Sequence, residues 1–359
     1  MTREHAAAMV AHQGAACAEL GSPLYAALLA RAAADIRAGG PCADAVAGHE
    51  DAPGPYALGL RLAGGVHALV LSGRAPALAR CYPSAGGTFD PSRPQEAWRA
   101  FADTVAAELP FVRAWLTRPP QTNEVGRAGL LVAGMLWALD RAPLPVRLFE
   151  VGASAGLNLR ADHFRCTGEG FASGPRDSAV RLANVWRGTP PRWLTGAAAR
   201  HPGPAVVERR GCDVDPVDPA SPAGALALRA YLWPDQEARH ARLAGALRLA
   251  ARVPAEVTAA GAADFLAGLS LEEGTLTVVW HSVMRQYVPA PEWARAEAEL
   301  ERLAASATPR RAFVHLAFEP CRAGRERPFR LTARFGGGEP VVLADAAPHG
   351  LPAYAPAPA

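Results

Sequence analysis

Leu148 to Leu159 reads L-F-E-V-G-A-S-A-G-L-N-L. An apolar run carrying Glu150 ends at Gly152, and Gly152, Ser154 and Gly156 alternate with alanines before apolar residues resume. A strand, a tight turn of small residues and a helix start would let the backbone approach a ligand closely. The same letters contain G-x-S-x-G, the spacing of a nucleophile elbow with Ser154 as a hydrolase nucleophile. A turn with no ligand is the third reading, and the surrounding chain has to arbitrate.

Downstream of this stretch, short apolar runs alternate with helical patterns. Val146 to Val151, Ala205 to Cys212, Glu256 to Ala260, Leu276 to Trp280 and Ala312 to Phe318 read as strands. Leu226 to Ala251, Phe265 to Leu269 and Pro291 to Ser306 read as helices between them. The alternation predicts a parallel sheet with helices on both faces. Phe329 to Phe335 and Pro340 to Ala344 flank Gly336-Gly337-Gly338 and predict an antiparallel hairpin. The Gly-, Pro- and Arg-rich segment 161–204 breaks the alternation and reads as an insert over the carboxyl edge of the sheet. Upstream of Pro145 the pattern is helical, at Glu4 to Leu20, Leu24 to Ile36, Tyr56 to Leu71, Glu96 to Trp115 and Val125 to Leu139. The expected organisation is a helical region over 1–145, a sheet domain over 146–350 and a flexible tail over 351–359 that ends A-P-A-P-A.

Bulk properties narrow the function. The 359 residues are half hydrophobic and one fifth charged, as in a globular protein. The 37 basic residues against 34 acidic ones give a net charge of +3 and form no basic block, so no nucleic-acid partner is indicated. The six cysteines are scattered without a C-x-x-C pair, so no metal site is expected. The start, M-T-R-E-H-A-A-A-M-V, develops no apolar signal core. The longest apolar run, Leu130 to Leu139, is about half a bilayer span. A cytoplasmic protein with reduced thiols and no membrane contact is expected.

The strand ends carry the candidate chemistry. After the second strand, C-D-V-D-P-V-D-P offers Asp213, with Asp215 as competitor, where a nucleotide-binding fold places its ribose acid. The alternative is that Asp215 and Asp218, each before a proline, only form turns. Asp264 and Phe265 follow the third strand, where an acid and a ring can flank an adenine, or where Asp264 caps a helix. His281 and Ser282 end the fourth strand and Glu319 the fifth, the place for acid–base and substrate contacts. In the helical half, Q-T-N-E-V-G-R gathers Gln121, Asn123, Glu124 and Arg127, which can cap a helix or grip a substrate carboxylate. Tyr82-Pro83-Ser84 and Trp233-Pro234-Asp235-Gln236 are further polar–aromatic clusters, with capping and packing as their ordinary explanation.

As a set, P-L-Y-A-A-L-L, C-Y-P-S, Q-T-N-E-V-G-R, E-V-G-A-S-A-G-L-N-L, R-R-G-C-D-V-D-P-V-D, W-P-D-Q and V-V-W-H-S resemble the bacterial family called domain of unknown function 2332, found largely in actinobacteria. That family implies no activity. The C-terminal part is also similar to class I S-adenosylmethionine-dependent methyltransferases, which implies a Rossmann-like sheet with a reversed terminal strand. By position, the resemblance puts cofactor contacts on Glu150, Gly152, Ser154, Gly156, Asp213, Asp264 and Phe265. Ser154 replaces the usual central glycine, the insert parts the first two motifs, and no N-P-P-Y follows the fourth strand. The expected function is methyl transfer to a small polar acceptor, with His281 then Glu319 as base and Gln121, Asn123, Glu124, Arg127 and Ser282 facing the acceptor. A cyclase or lyase using the same cofactor, a Ser154 hydrolase and a non-catalytic sensor are the alternatives.

Overall fold

The computed structural model describes residues 3–118, 120–321 and 328–356. The chain divides into two compact units, Met1–Thr122 with Ser221–Ala241, and Asn123–Ala220 with Arg242–Ala359. The division differs from a cut at residue 145. Helix Ala128–Leu139 belongs to the second unit, and the segment 221–241 belongs to the first.

The first unit is helical. Ser22 caps helix Pro23–Ala38 by accepting from the Tyr25 N–H, Pro23 opens it, and Gly39 at φ 78° ends it. Leu24, Leu28, Leu29, Ala32 and Ile36 recur at helical spacing and are all buried. They join Leu62, Val66, Phe101, Val105 and Trp233 in one core. Two helices expected to be continuous are broken. Glu96 to Trp115 divides into Pro94–Ala107 and Leu109–Leu116, with Pro110 in the first turn of the second. Leu226 to Ala251 divides into Pro222–Ala230 and Glu237–Ala250 around Pro234. Proline has no N–H to give and is accepted only in a first turn. The break puts Asp235 beside the second helix of the chain, where its carboxylate accepts from Ser22 Oγ at 2.6 Å and the Leu24 N–H at 3.0 Å. Asp235→Ala strands both donors and is expected to cost about 2–3 kcal/mol. Urea unfolding checks it, and a midpoint equal to wild type would show the tether to be idle.

The second unit is mixed α/β. In chain order its strands are β1 Val146–Val151, β2 Arg165–Gly168, β3 Phe171–Ser173, β4 Arg181–Leu182, β5 Val206–Asp213, β6 Glu256–Ala259, β7 Thr275–Ser282, β8 Arg311–Pro320, β9 Phe329–Phe335, β10 Val341–Ala346 and β11 Ala353–Tyr354. Eight form one sheet in the order β11-β10-β9-β8-β7-β1-β5-β6. The run from β8 to β6 is parallel, so its carboxyl ends share one edge. β9 and β10 form the expected antiparallel hairpin around the three glycines. The chain continues past it: Ala353, fully buried, pairs with Ala346, so an ordered strand replaces the flexible tail at its start, and 357–359 lie outside the described residues.

Strand period divides the sheet residues between two faces. Glu150, Trp280 and Leu316 are register partners on one face. There helix Ala128–Leu139 comes so close that a Cβ on Gly134 would stand 2.6 Å from Leu316 Cδ1. Phe149, Val151, Val279 and Phe313 occupy the other face and pack with Phe265, Trp293, Ala296 and Leu300 from helices Ala262–Ala267 and Ala290–Ala305.

The insert runs from the carboxyl edge, where Trp186 bridges Ala353 beside the end of β10, towards the amino edge. It makes a small sheet of order β3-β2-β4 and helix Arg192–Arg200, whose last residue pairs with Asp140 beyond the end of helix Ala128–Leu139. A parallel β5 must start at the amino edge, so the chain has to cross the sheet's full height. The insert is that crossing. Among the described residues, no helix is long and apolar enough to span a membrane.

Candidate functional site

The carboxyl edge of β1 is a turn held in an uncommon conformation. Gly152, Ser154 and Gly156 have φ of 70°, 52° and 63°, the left-handed region that glycine enters freely and serine does not. Hydrogen bonds hold it there. The Ala153 N–H donates to Cys212 O at 2.9 Å, and the Ser154 N–H to Asp213 Oδ2 at 2.8 Å. Asp213 Oδ1 accepts from the Asp215 N–H at 3.0 Å, and the Leu157 N–H donates to Asn123 Oδ1 at 2.8 Å. A Cβ on Gly152 would stand 2.9 Å from Met284 Cβ, so this turn and the loop after β7 meet closely. A 3-10 stretch, Leu157–His163, follows in place of the expected α-helix. No helix N-terminus therefore stands ready for an anion, and the turn offers close backbone approach instead.

Glu150, only 2% exposed, is the buried acid beside the turn. Burial pushes its carboxyl up to about 8, more than Asn158 and Trp280 beside it pull it down. It is protonated at neutral pH and can act as a donor. Asn158 and Trp280 are hydrogen-bonding neighbours of this carboxyl, and its Oε2 and Asn158 Oδ1 are buried with no other close partner. Trp280 stands opposite Glu150 in the register of β7, and Asn158 donates to Glu124 O at 3.4 Å.

His281 lies on the opposite face from Glu150, one residue further along β7. Its Nδ1 is 2.8 Å from Glu319 Oε1, which also accepts from the Met284 N–H at 3.1 Å and the Arg285 N–H at 3.4 Å. An oxygen already taking two N–H groups acts here as an acceptor, so Nδ1 carries the imidazole proton. Nε2 is then the basic nitrogen, and it is buried with no partner. The rings of Trp293 and His315 each stand 5.1 Å from that of His281. Burial holds His315 down to about 3, so it stays neutral beside His281.

The remaining expected residues scatter. Asn123 and Glu124 brace the chain, Glu124 Oε1 by accepting from the Gly126 N–H at 2.9 Å. Arg127 donates to Ser282 O and Pro348 O, both at 3.3 Å, which ties it to the end of β7. Gln121 falls in the first unit. Asp264 is neither a helix cap nor gathered with the turn. Gly261 precedes helix Ala262–Ala267, and the Asp264 side chain, 68% exposed, pairs with Arg295. Phe265 is a core residue, its ring 6.4 Å from that of Phe149. The sequence reading passed over Asn158 and Trp280. Asn158 sits inside the quoted stretch, and Trp280 precedes His281 on the strand face that Glu150 shares. Ser154 gains nothing from His281, whose Nε2 would have to accept the hydroxyl proton of an elbow serine and has no partner.

Comparison with curated proteins returns no match, and comparison with solved structures returns none. Residues 7–353 match the family described as "Uncharacterized protein conserved in bacteria (DUF2332)", and the chain belongs to that family.

Proposed function

We propose that the second unit binds S-adenosylmethionine at the carboxyl edge of β1 and β5 and transfers its methyl group to a small polar metabolite. The observation that carries this reading is the turn after β1, left-handed at three alternate residues and fastened to Asp213 at the end of the neighbouring strand. It stands where strand order reverses, β5 to one side of β1 and β7 to the other, the position at which open α/β sheets take ligands. A reversed strand following β8 agrees with a Rossmann-like sheet of the methyltransferase type.

The residues present fit the cofactor. Each Asp213 oxygen accepts one N–H and keeps a second lone pair for a ribose hydroxyl. Glu150 Oε2 is a buried polar atom still short of a close partner, which a bound polar ligand would supply. When bound, S-adenosylmethionine supplies an electrophilic methyl on a sulfonium. The chain's part is to position the acceptor and take its proton. His281 Nε2 is the base and Glu319 holds the imidazole in the right tautomer. The absence of a basic block supports a small acceptor over a nucleic acid.

Isothermal titration calorimetry with S-adenosylmethionine and S-adenosylhomocysteine tests the reading. Micromolar binding is expected, lost in a folded Gly152→Arg protein, where a long side chain fills the closest approach of the turn. A folded wild-type protein that binds neither compound at millimolar concentration would sink the proposal.

A further inference from the structure

The first unit buries a guanidinium that no carboxylate pairs with among the described residues. Arg61, on helix Leu58–Leu71, is only 7% exposed. Its Nε donates to Tyr56 O at 2.6 Å, and its Nη1 to Leu116 O at 3.0 Å and Arg118 O at 2.6 Å. The Tyr56 ring covers one face of the guanidinium, its centre 3.5 Å from Cζ. Nη2, with two N–H groups, has no acceptor among the described residues. Unlike the unmatched atoms sealed in the interior, it is reached by solvent. Carbonyls satisfy N–H groups and leave the charge standing. The end of helix Leu109–Leu116, which supplies Leu116 O, contributes about half a negative charge. The side chains that act on the Arg61 charge are Tyr56 and Tyr231, and no carboxylate is among them. A second cation, Arg118, stands exposed beside Tyr231. Burying an unbalanced charge is costly, and two guanidinium groups against that half charge leave about +1.5 at this place.

Tyr231 shows the same lack from its own side. Its ring reaches Gly64, one turn after Arg61 on the same helix face, where a Cβ would stand 2.8 Å from Tyr231 Cε1 and 3.5 Å from Trp115 Nε1. Trp115 Nε1 only donates, so Tyr231 Oη is its acceptor. Burial pushes the Tyr231 hydroxyl up to about 12, so it keeps its proton at neutral pH. That proton has no acceptor among the described residues. A charge without a counterion and a hydroxyl proton without an acceptor ask for the same thing, a negatively charged oxygen.

We propose that Arg61, Tyr231 and Arg118 bind the oxyanion group of a small metabolite, a carboxylate or a phosphate monoester. Arg61 Nη2 donates to one oxygen and the Tyr231 hydroxyl to another, while Arg118 adds its charge from the exposed side. An oxyanion is favoured over a halide because donors on different side chains call for more than one acceptor atom. The carbonyls that fix Nε and Nη1, with the Tyr56 ring, hold the guanidinium in place before the ligand arrives, which lowers the ordering cost of binding. The site lies wholly in the first unit, so it stands or falls apart from a cofactor in the second.

Isothermal titration calorimetry of the full-length protein with inorganic phosphate and, separately, with succinate tests the proposal. At least one is expected to bind with a Kd of about 1 mM or tighter. Succinate alone would assign a carboxylate, phosphate alone a phosphate monoester, and both the shared oxyanion chemistry. Tyr231→Phe removes one hydroxyl and keeps the ring, and Arg118→Ala removes an exposed side chain and keeps the carbonyl that Arg61 uses. Each is expected to weaken binding about 10-fold, and neither disturbs the three bonds that seat Arg61. Folded wild-type protein that binds neither anion, or either folded variant binding as tightly as wild type, would overturn the proposal.

Discussion

Glu150→Gln abolishes most of the loss of thermal stability that the wild-type protein shows as pH rises from 5 to 8. The expectation follows from a single buried carboxyl. Folded, Glu150 titrates at about 8, against 4.5 in an open chain, chiefly because burial disfavours its charge. Between those values the native state binds a proton that the unfolded state has released, so stability falls as pH rises, by about 1.4 kcal/mol per unit. It levels off above about 8, and it is restored in full below about 4.5. For a unit of this size the slope corresponds to about 3–5 °C in melting temperature per pH unit. Glutamine keeps the shape and cannot titrate, so the difference between the two proteins isolates this group from every other carboxylate. Melting curves measured across pH 5 to 9 decide it, and parallel curves for wild type and variant would mean that Glu150 is solvated in the native state.

What the sequence disclosed depended on how local the cause was. β1 stands at Val146–Val151 as read, because six buried residues are bounded by Pro145 and by a glycine. β7 runs two residues further than its apolar pattern, through His281 and Ser282. His281 is buried although polar, since Glu319 satisfies its Nδ1, and that partner lies on another strand. The broken helices near Glu108 and Pro234 show the same limit. A proline marks a first turn and a break alike, and what the freed chain does next, as with Asp235 reaching Ser22, is settled by tertiary contacts. The small sheet of the insert pairs only two or three residues per strand, too few for a periodic signal. The carboxylates divided in the same way. Asp213 is placed by strand adjacency, which the alternation of elements predicted. Asp264 was read from a strand end, but the helix that opens after Gly261 carries it out to Arg295. The pairing of Glu150 with Trp280 depends on register between strands far apart in sequence, which no local pattern encodes.

The second large effect is expected at Asp213. Asp213→Asn should lower the stability of the second unit by about 2–3 kcal/mol and weaken S-adenosylmethionine binding about 100-fold. The carboxylate presents acceptors at both ends, Oδ2 to the Ser154 N–H and Oδ1 to the Asp215 N–H. Asparagine has one acceptor oxygen, so in either orientation its NH2 faces an N–H donor, and one charge-assisted bond is replaced by a repulsive contact. Ser154 makes the loss worse. At φ 52° it carries about 1–2 kcal/mol of backbone strain that the bond to Asp213 offsets. Adding Ser154→Gly removes that strain, so the double variant should recover about 1 kcal/mol in chemical denaturation. Glycine restores no acceptor for a ribose hydroxyl, so ligand binding should stay lost. Separation of the two readouts would assign Asp213 to the cofactor as well as to the turn. Recovery of binding together with stability would leave it a brace for the turn alone, and the ribose would then need another partner.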